Sequence, residues 1–412
     1  MATSPLIPAL RRRGVPARRD LHAVAPPLPA PATAPPREWI PFQRPELPPA
    51  DEVMAYFQAS IDAGAYANGG PCVNDLAARI EERLGFRARC VPVSSATTGL
   101  MATLRALCGS PNSRRRMIAC PSYTFTATAG AIAWAGFEPL FCDIEPDGFG
   151  LDPDKLDSAL RARPGRMAGI LACSPFGTAP AAMLRAAWAE VAQRHGIPLI
   201  VDSAPGFGAI DEFGDPLGSQ GDTEVFSFHA TKPFAIGEGG AVVTADPEVA
   251  SRIARIVNFG LDPGTRTSIE PGLNAKLSEI HAATGLAVMD RFDAILGGRR
   301  SLAQRLQARL AGSGLTFQRG NAGSTWQYFQ SLAPDEAARE AILVAAADGA
   351  VDARTLHDPP LHRHPAFAAV ERGGWLQVTE RLAARSVSLP LANALDDGAV
   401  ERIAAVAGAR AC

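Results

Sequence analysis

The 412-residue chain lacks several features that would place it in a class at once. No two cysteines stand at C-x-x-C spacing; Cys72, Cys90, Cys108, Cys120, Cys142, Cys173 and Cys412 are scattered singly. An odd count without a framework argues against a disulfide scaffold, a spaced zinc site or a thiol nucleophile. It reads as reduced, buried thiols in a cytosolic protein. A basic surplus is also missing. The formal net charge is −2, so the phosphate neutralisation that nucleic-acid binding needs is not on offer. No apolar run is long enough to span a bilayer. Lysine is scarce beside arginine, and no internal repeat is visible.

What is present is ordinary for a globular chain: 47% hydrophobic and 20% charged residues, at a length that usually makes two or more structural units. Residues 1–38 are rich in Arg, Pro and Ala. Their arginines are followed by no apolar stretch, so they read as a disordered, partly polyproline-like tail and not as an export signal. From Ile40 onward short apolar runs alternate with amphipathic stretches. The runs centre on Ile118, Phe141, Leu171, Ile200, Phe226 and Val242, and they are continuous, as expected of strands covered on both faces. Between them "TTGLMATLRAL" places Leu100, Leu104 and Leu107 on one helical face, and "AAMLRAAWAEVAQRHG" ends in a capping Gly196. This alternation predicts an α/β fold with a mostly parallel central sheet flanked by helices. After Leu273 a long helical stretch, interrupted at Gly297 and Gly298, leads into mixed structure. The expected division is a large domain over residues 39–290 and a smaller C-terminal α+β domain over residues 291–412.

Three local patterns carry chemistry. Lys232 follows the apolar run ending at Phe228, and Gly237, Gly239 and Gly240 behind it let the next segment pass closely. Such a lysine serves as an amine nucleophile, or else as a surface residue or weak phosphate contact. Asp202 closes the strand-like "PLIVDS", at the carboxyl end where parallel α/β sheets place their sites; capping of the strand exit is the alternative. In "VSSATTGL" a strand turns directly into a helix, so the amides of Ala96 and Thr97 can face an anion, although Ser94 or Ser95 would look the same as a plain cap.

Taken with their surroundings, these segments resemble the DegT/DnrJ/EryC1/StrS family of sugar aminotransferases. The resemblance runs collinearly from about Ile40 to Ala405. It is carried by "IPFQRPELPP", "AGAYANGGPCVNDLAARIEERLG", "PSYTFTATAGAIAWAGFEPLFCDIEPDGFGLDP", "FSFHATKPFAIGEGGAVVT" and "GLNAKLSEIHAATGLAVMDRFD". It implies a fold type I transferase dependent on pyridoxal 5′-phosphate (PLP). Carried over by position, Lys232 matches the Schiff-base lysine and Asp202 the aspartate that pairs with the pyridine nitrogen. Phe125 matches the aromatic stacked on the ring, and Ala96, Thr97 and Ser227 match phosphate-binding positions. Asn274 matches an asparagine reaching the phosphate from the neighbouring subunit, which implies a homodimer. The implied reaction moves an amino group from an amino acid, usually glutamate, to a nucleotide-linked keto-sugar.

Two segments depart from the family. In "DSAPGFG" Pro205 stands where the family often has a ring-orienting glutamine, and proline offers neither side-chain donor nor N–H. In "VDARTLHDPPLHRHPAF" Arg354 and His362 align, but the usual aromatic is replaced around Leu356 and His357. These departures keep open a non-sugar acceptor such as a cyclitol or a biosynthetic aldehyde. A PLP-binding regulator without turnover is the reading from another class. The family's dehydrating branch carries histidine in place of the lysine, and Lys232 argues against it. His362 and His364 form an H-x-H without a third ligand, which reads as a solvated loop, so no metal is expected. The arginines at 114–116 read as a solvated turn.

Overall fold

The six continuous apolar runs become the middle of one sheet. The computed structural model describes residues 39–219 and 223–408; the expected tail at residues 1–38 lies outside the described residues. The strands are β1 Arg89–Val93, β2 Met117–Pro121, β3 Glu138–Cys142, β4 Met167–Cys173, β5 Leu199–Asp202, β6 Thr223–Ser227 and β7 Gly240–Thr244, followed by β8 Phe329–Leu332, β9 Glu371–Arg372 and β10 Ser386–Leu389. Eight of them form a sheet in the order β1-β7-β6-β5-β4-β2-β3-β9. Only β7 runs against its neighbours β1 and β6; the remaining pairs are parallel. Strands β2, β4, β6 and β7 are buried at every position, which is why their sequences read as unbroken apolar runs and not as alternation.

Helix Ala96–Cys108 covers one face, with Leu100 and Leu104 packed among Val93, Val225 and Val242. A Cβ on Gly99 would sit 3.1–3.2 Å from these three valines, so glycine sets how closely this helix lies on the sheet. Helix Ala182–His195 ends as expected, with Gly196 in the left-handed region. Strands β8 and β10 form a separate antiparallel pair, packed with the helices Phe292–Arg309 and Asp397–Ala407 around Leu302, Leu306, Phe329, Leu389 and Ile403. The described residues from Ile40 onward pack as one compact unit.

One helical expectation needs correction. The long stretch after Leu273 breaks at Asp290 and Arg291, between helices Glu279–Met289 and Phe292–Arg309, and not at Gly297 and Gly298. Both glycines lie inside a helix. A Cβ at Gly298 would come within 2.6 Å of the Asn393 side chain, so packing against that chain outweighs the roughly 1 kcal/mol propensity cost of a helical glycine.

Glu279, fully buried, ties the first of these helices to the N-terminus of helix Pro71–Arg83. Its carboxylate accepts from Ser60 Oγ at 2.7 Å and from the Cys72 amide at 2.8 Å. Truncation would strand both donors in the interior. Glu279→Ala is expected to cost about 2–3 kcal/mol, read as a lower urea midpoint at unchanged slope.

Candidate active site

At the carboxyl ends of β4, β5 and β6 lies a cavity of about 470 Å3. Its floor is set by strand register. β4 and β5 pair so that Cys173 lies beside Asp202, and β5 and β6 pair so that Asp202 lies beside Val225, two residues before Ser227. Asp202 is 8% exposed, and its oxygens accept from Thr128 Oγ1 at 2.7 Å and from the Ala204 amide at 3.2 Å. Burial pushes its carboxyl above the ordinary range, while those two hydrogen bonds and the Lys232 charge pull it back. Thr128 comes from helix Thr126–Trp134, whose N-cap is Phe125. That ring is 67% exposed and borders the cavity, where it can cover a flat ligand.

Lys232 sits on the excursion between β6 and β7. The loop is closed by main-chain bonds from Ala230 N to Gly237 O and from Ile236 N to Phe228 O, with Gly237 at φ 94° making the return possible. Phe228 and Phe234, 4.8 Å apart, anchor it in an aromatic cluster with Phe207 and Phe292. The amine is thereby held in the cavity. Among the described residues it pairs with no carboxylate, and it donates to Gln327 Oε1 at 3.3 Å. Burial lowers its pKa to about 8, against the opposing charge of Asp202. A lysine that titrates near 8 keeps a substantial uncharged fraction just above neutrality, and that fraction is a nucleophile and a base.

The strand-to-helix turn forms a third wall. Ser95 caps helix Ala96–Cys108 by accepting from the Thr98 amide at 3.2 Å, so the plain-cap reading holds for Ser95. The amides of Ala96 and Thr97 belong to the first turn, where a helix offers donors without internal acceptors, and both residues border the cavity. A Cβ at Gly240 would lie 2.9 Å from Ala96 N, so β7 can approach this turn only because position 240 is glycine. Ser227 borders the same space.

Six of the seven sequence-predicted site residues therefore meet in one cavity: Lys232, Asp202, Ala96, Thr97, Phe125 and Ser227. Asn274 does not. It is exposed, bridges to Asn258 and accepts from Lys276 Nζ at 2.8 Å. The departures fall in the cavity wall. The Pro205 carbonyl accepts from Thr325 Oγ1 at 2.8 Å. His357, at φ 62°, lies 5.0 Å from the Phe176 ring and 5.2 Å from Tyr123, and burial pushes its pKa down to about 3, so it enters the cavity uncharged. The solvated-loop reading of His362 is wrong. That ring is buried, with Nδ1 2.8 Å from Ser122 Oγ and Nε2 2.6 Å from Glu380 Oε1, because the end of β2 and helix Gln377–Ala383 bring these partners to it. No cluster of three metal-ligating side chains occurs among the described residues, and no helix there is long and apolar enough to cross a membrane. Sequence reasoning missed Thr128, Gln327 and Tyr328. Thr128 sits in the "FTAT" stretch already singled out; nothing local marks the other two.

Known proteins agree with this geometry. Protein Rv3402c of Mycobacterium tuberculosis is 35% identical over 370 residues, 89% of each chain. The dTDP-4-amino-4,6-dideoxy-D-glucose transaminase of Shigella dysenteriae is 30% identical, over 70% of this chain and 76% of its own. Among solved structures, DesI in the presence of its TDP-sugar product superposes with a TM-score of 0.81 at 32% identity, covering 91% of this chain and 94% of DesI. The expected fold type I architecture is thus present. The profile of the DegT/DnrJ/EryC1/StrS aminotransferase family matches residues 49–407, and the chain belongs to that family of transaminases.

Proposed function

We propose that this aminotransferase carries PLP on Lys232 and transfers an amino group from glutamate to a nucleotide-linked keto-sugar. The observation that carries the reading is a recessed, weakly basic lysine sharing one cavity with the buried Asp202. The donor set fits the cofactor. Ala96, Thr97 and Ser227 offer amides and a hydroxyl for a phosphate, Phe125 a face for a ring, and Gly240 the close approach the cradle needs. When bound, PLP supplies an aldehyde for an amine and a ring that accepts the electron pair left at the donor's α-carbon. Lys232 Nζ would take the proton from that carbon and give it up on the cofactor side of the new C–N bond, the transfer that separates transamination from simple exchange, and its lowered basicity suits it to both steps. Asp202, its oxygens held by Thr128 and Ala204, keeps a proton on the ring nitrogen.

The sugar acceptor is supported by the Shigella transaminase and by the TDP-sugar product with DesI. We further propose a cytoplasmic homodimer in which Asn274 serves the neighbouring cavity. Its exposure and its distance from its own cavity's lining support that arrangement, and the free thiols among the described residues suit a reducing compartment. A large domain over residues 39–290 and a small one over 291–412 is part of this reading: the separate β8–β10 pair supports it, while β9, from the C-terminal part, adds to the edge of the main sheet. With glutamate and a dTDP-linked 4-keto-6-deoxy-sugar, amino-sugar and 2-oxoglutarate are expected in equal amounts. Turnover confined to cyclitol ketones or simple aldehydes would refute the sugar assignment.

A further inference from the structure

Behind Lys232 the chain builds a second layer. Trp326 adopts the left-handed backbone region at φ 50°, a strained conformation for a bulky residue that persists only where its surroundings enforce it. Arg299, buried on helix Phe292–Arg309, enforces it. Its guanidinium donates to the carbonyls of Trp326 at 3.0 Å, Gln327 at 2.8 Å and Leu391 at 2.7 Å, and pairs with Glu46 at 3.3 Å. The clamped turn presents Gln327, 4% exposed, to the lysine. Both amide hydrogens of Gln327 are committed, one to the Thr231 carbonyl at 3.2 Å and one to Tyr328 Oη at 2.9 Å. Tyr328 Oη is itself fixed by Gln43 Nε2 at 2.7 Å, and its ring stacks on Phe42 at 4.5 Å. Only Oε1 is left for Lys232 Nζ, and a flipped amide would set donors against donors.

We propose that Gln327 is a positioning residue for Lys232, offering the free amine a fixed, uncharged acceptor whenever that amine is not joined to cofactor. The proposal rests on the reading of Lys232 as the cofactor lysine. A recessed amine needs a partner. A carboxylate in that place would favour the ammonium form and suppress its action as nucleophile and base. The groups facing the amine are Asp202 at the end of β5 and His357 on the opposite wall, with Tyr328, Arg299 and Glu46 behind. His229, Glu238 and Arg354 lie on the cavity lining as well. Asp202 raises the basicity of the amine and burial lowers it, His357 is uncharged, and Arg299 is paired with Glu46. Gln327 adds an acceptor to this balance without adding charge.

The test is site-resolved reductive methylation of the full-length, cofactor-stripped chain with formaldehyde and cyanoborohydride over a pH series. Peptide mapping separates Lys232 from Lys155 and Lys276. The wild-type Lys232 midpoint is expected at about 8. Q327E should raise it by about one pH unit, cutting labelling about tenfold below the wild-type midpoint, and Q327M should lower it. In the cofactor-loaded enzyme Q327M should reduce kcat per PLP-bearing site and leave KM for glutamate unchanged; normalising to bound PLP separates this from a loss of folded enzyme, which would lower only the uncorrected kcat. If melting shows Q327E unfolded, Q327M decides alone. Midpoints that coincide with wild type overturn the proposal. The midpoints are measured without cofactor, so they stand apart from the separate question of which lysine the cofactor occupies.

Discussion

Lys232→Ala is expected to abolish both turnover and the visible absorbance that PLP gives the wild-type protein. The expected loss in kcat is at least about 10^4-fold, the upper end of what a single positioned acid–base group contributes, because the same atom also holds the cofactor. The fold should survive, since the loop is anchored by Phe228, Phe234 and main-chain bonds and not by the amine. Removing the amine takes away a charge that favours the ionised Asp202 carboxyl, but that carboxyl keeps its hydrogen bonds from Thr128 Oγ1 and the Ala204 amide. An unchanged melting temperature with no turnover would place the residue in the chemistry. Added methylamine should restore a small part of the proton transfer, because the space vacated by the side chain opens on the cavity.

Asp202→Asn is expected to reduce kcat about 10^2- to 10^3-fold, the scale of a preorganised charge lost from a water-poor site. The amide keeps the shape but only one acceptor: its oxygen can still take the Ala204 amide, while its NH2 replaces the oxygen that accepted from Thr128 Oγ1 and can donate to that hydroxyl instead, so cofactor uptake should weaken less than turnover. What it cannot do is balance a positive charge on the ring nitrogen. Single-turnover kinetics with glutamate separate the effects: the rate of the half-reaction should fall while the affinity for glutamate stays close to wild type. Equal losses in affinity and rate would move Asp202 from the chemistry to the architecture.

The two residues were legible in the sequence for different reasons. Asp202 could be placed because β5 is an unbroken apolar run, and a polar residue at the end of such a run falls at the carboxyl edge of the sheet. Lys232 stood out through the glycines after it, one of which does take a positive φ. Each still had a bland alternative, and Asp202 does cap the strand exit through the Ala204 amide; their meeting in one cavity is what favours the functional reading. Elsewhere local rules gave way to tertiary packing. Gly297 and Gly298 predict a break, yet the helix continues through both, and at Gly298 the close packing against Asn393 calls for glycine. His362 reads as solvated until Ser122, 240 residues earlier in the chain, arrives beside it. The two-residue β9 is too short for any period to reveal. Gln327 had no signal at all, since its role arises from a turn strained at Trp326 and held by an arginine on another helix. Asn274 is the reverse case. It was singled out by resemblance alone, and within one chain it stays outside the cavity.

The central claim is that the Nζ atom at position 232 becomes covalently joined to the cofactor. Borohydride reduction of the PLP-loaded protein, followed by proteolysis and mass spectrometry, tests it directly with three candidate lysines in the whole chain. The account predicts a reduced pyridoxyl group on the peptide containing Lys232, lost in Lys232→Ala and kept in Asp202→Asn. A tag on Lys155 or Lys276 instead, or a protein that takes up no PLP, would contradict it.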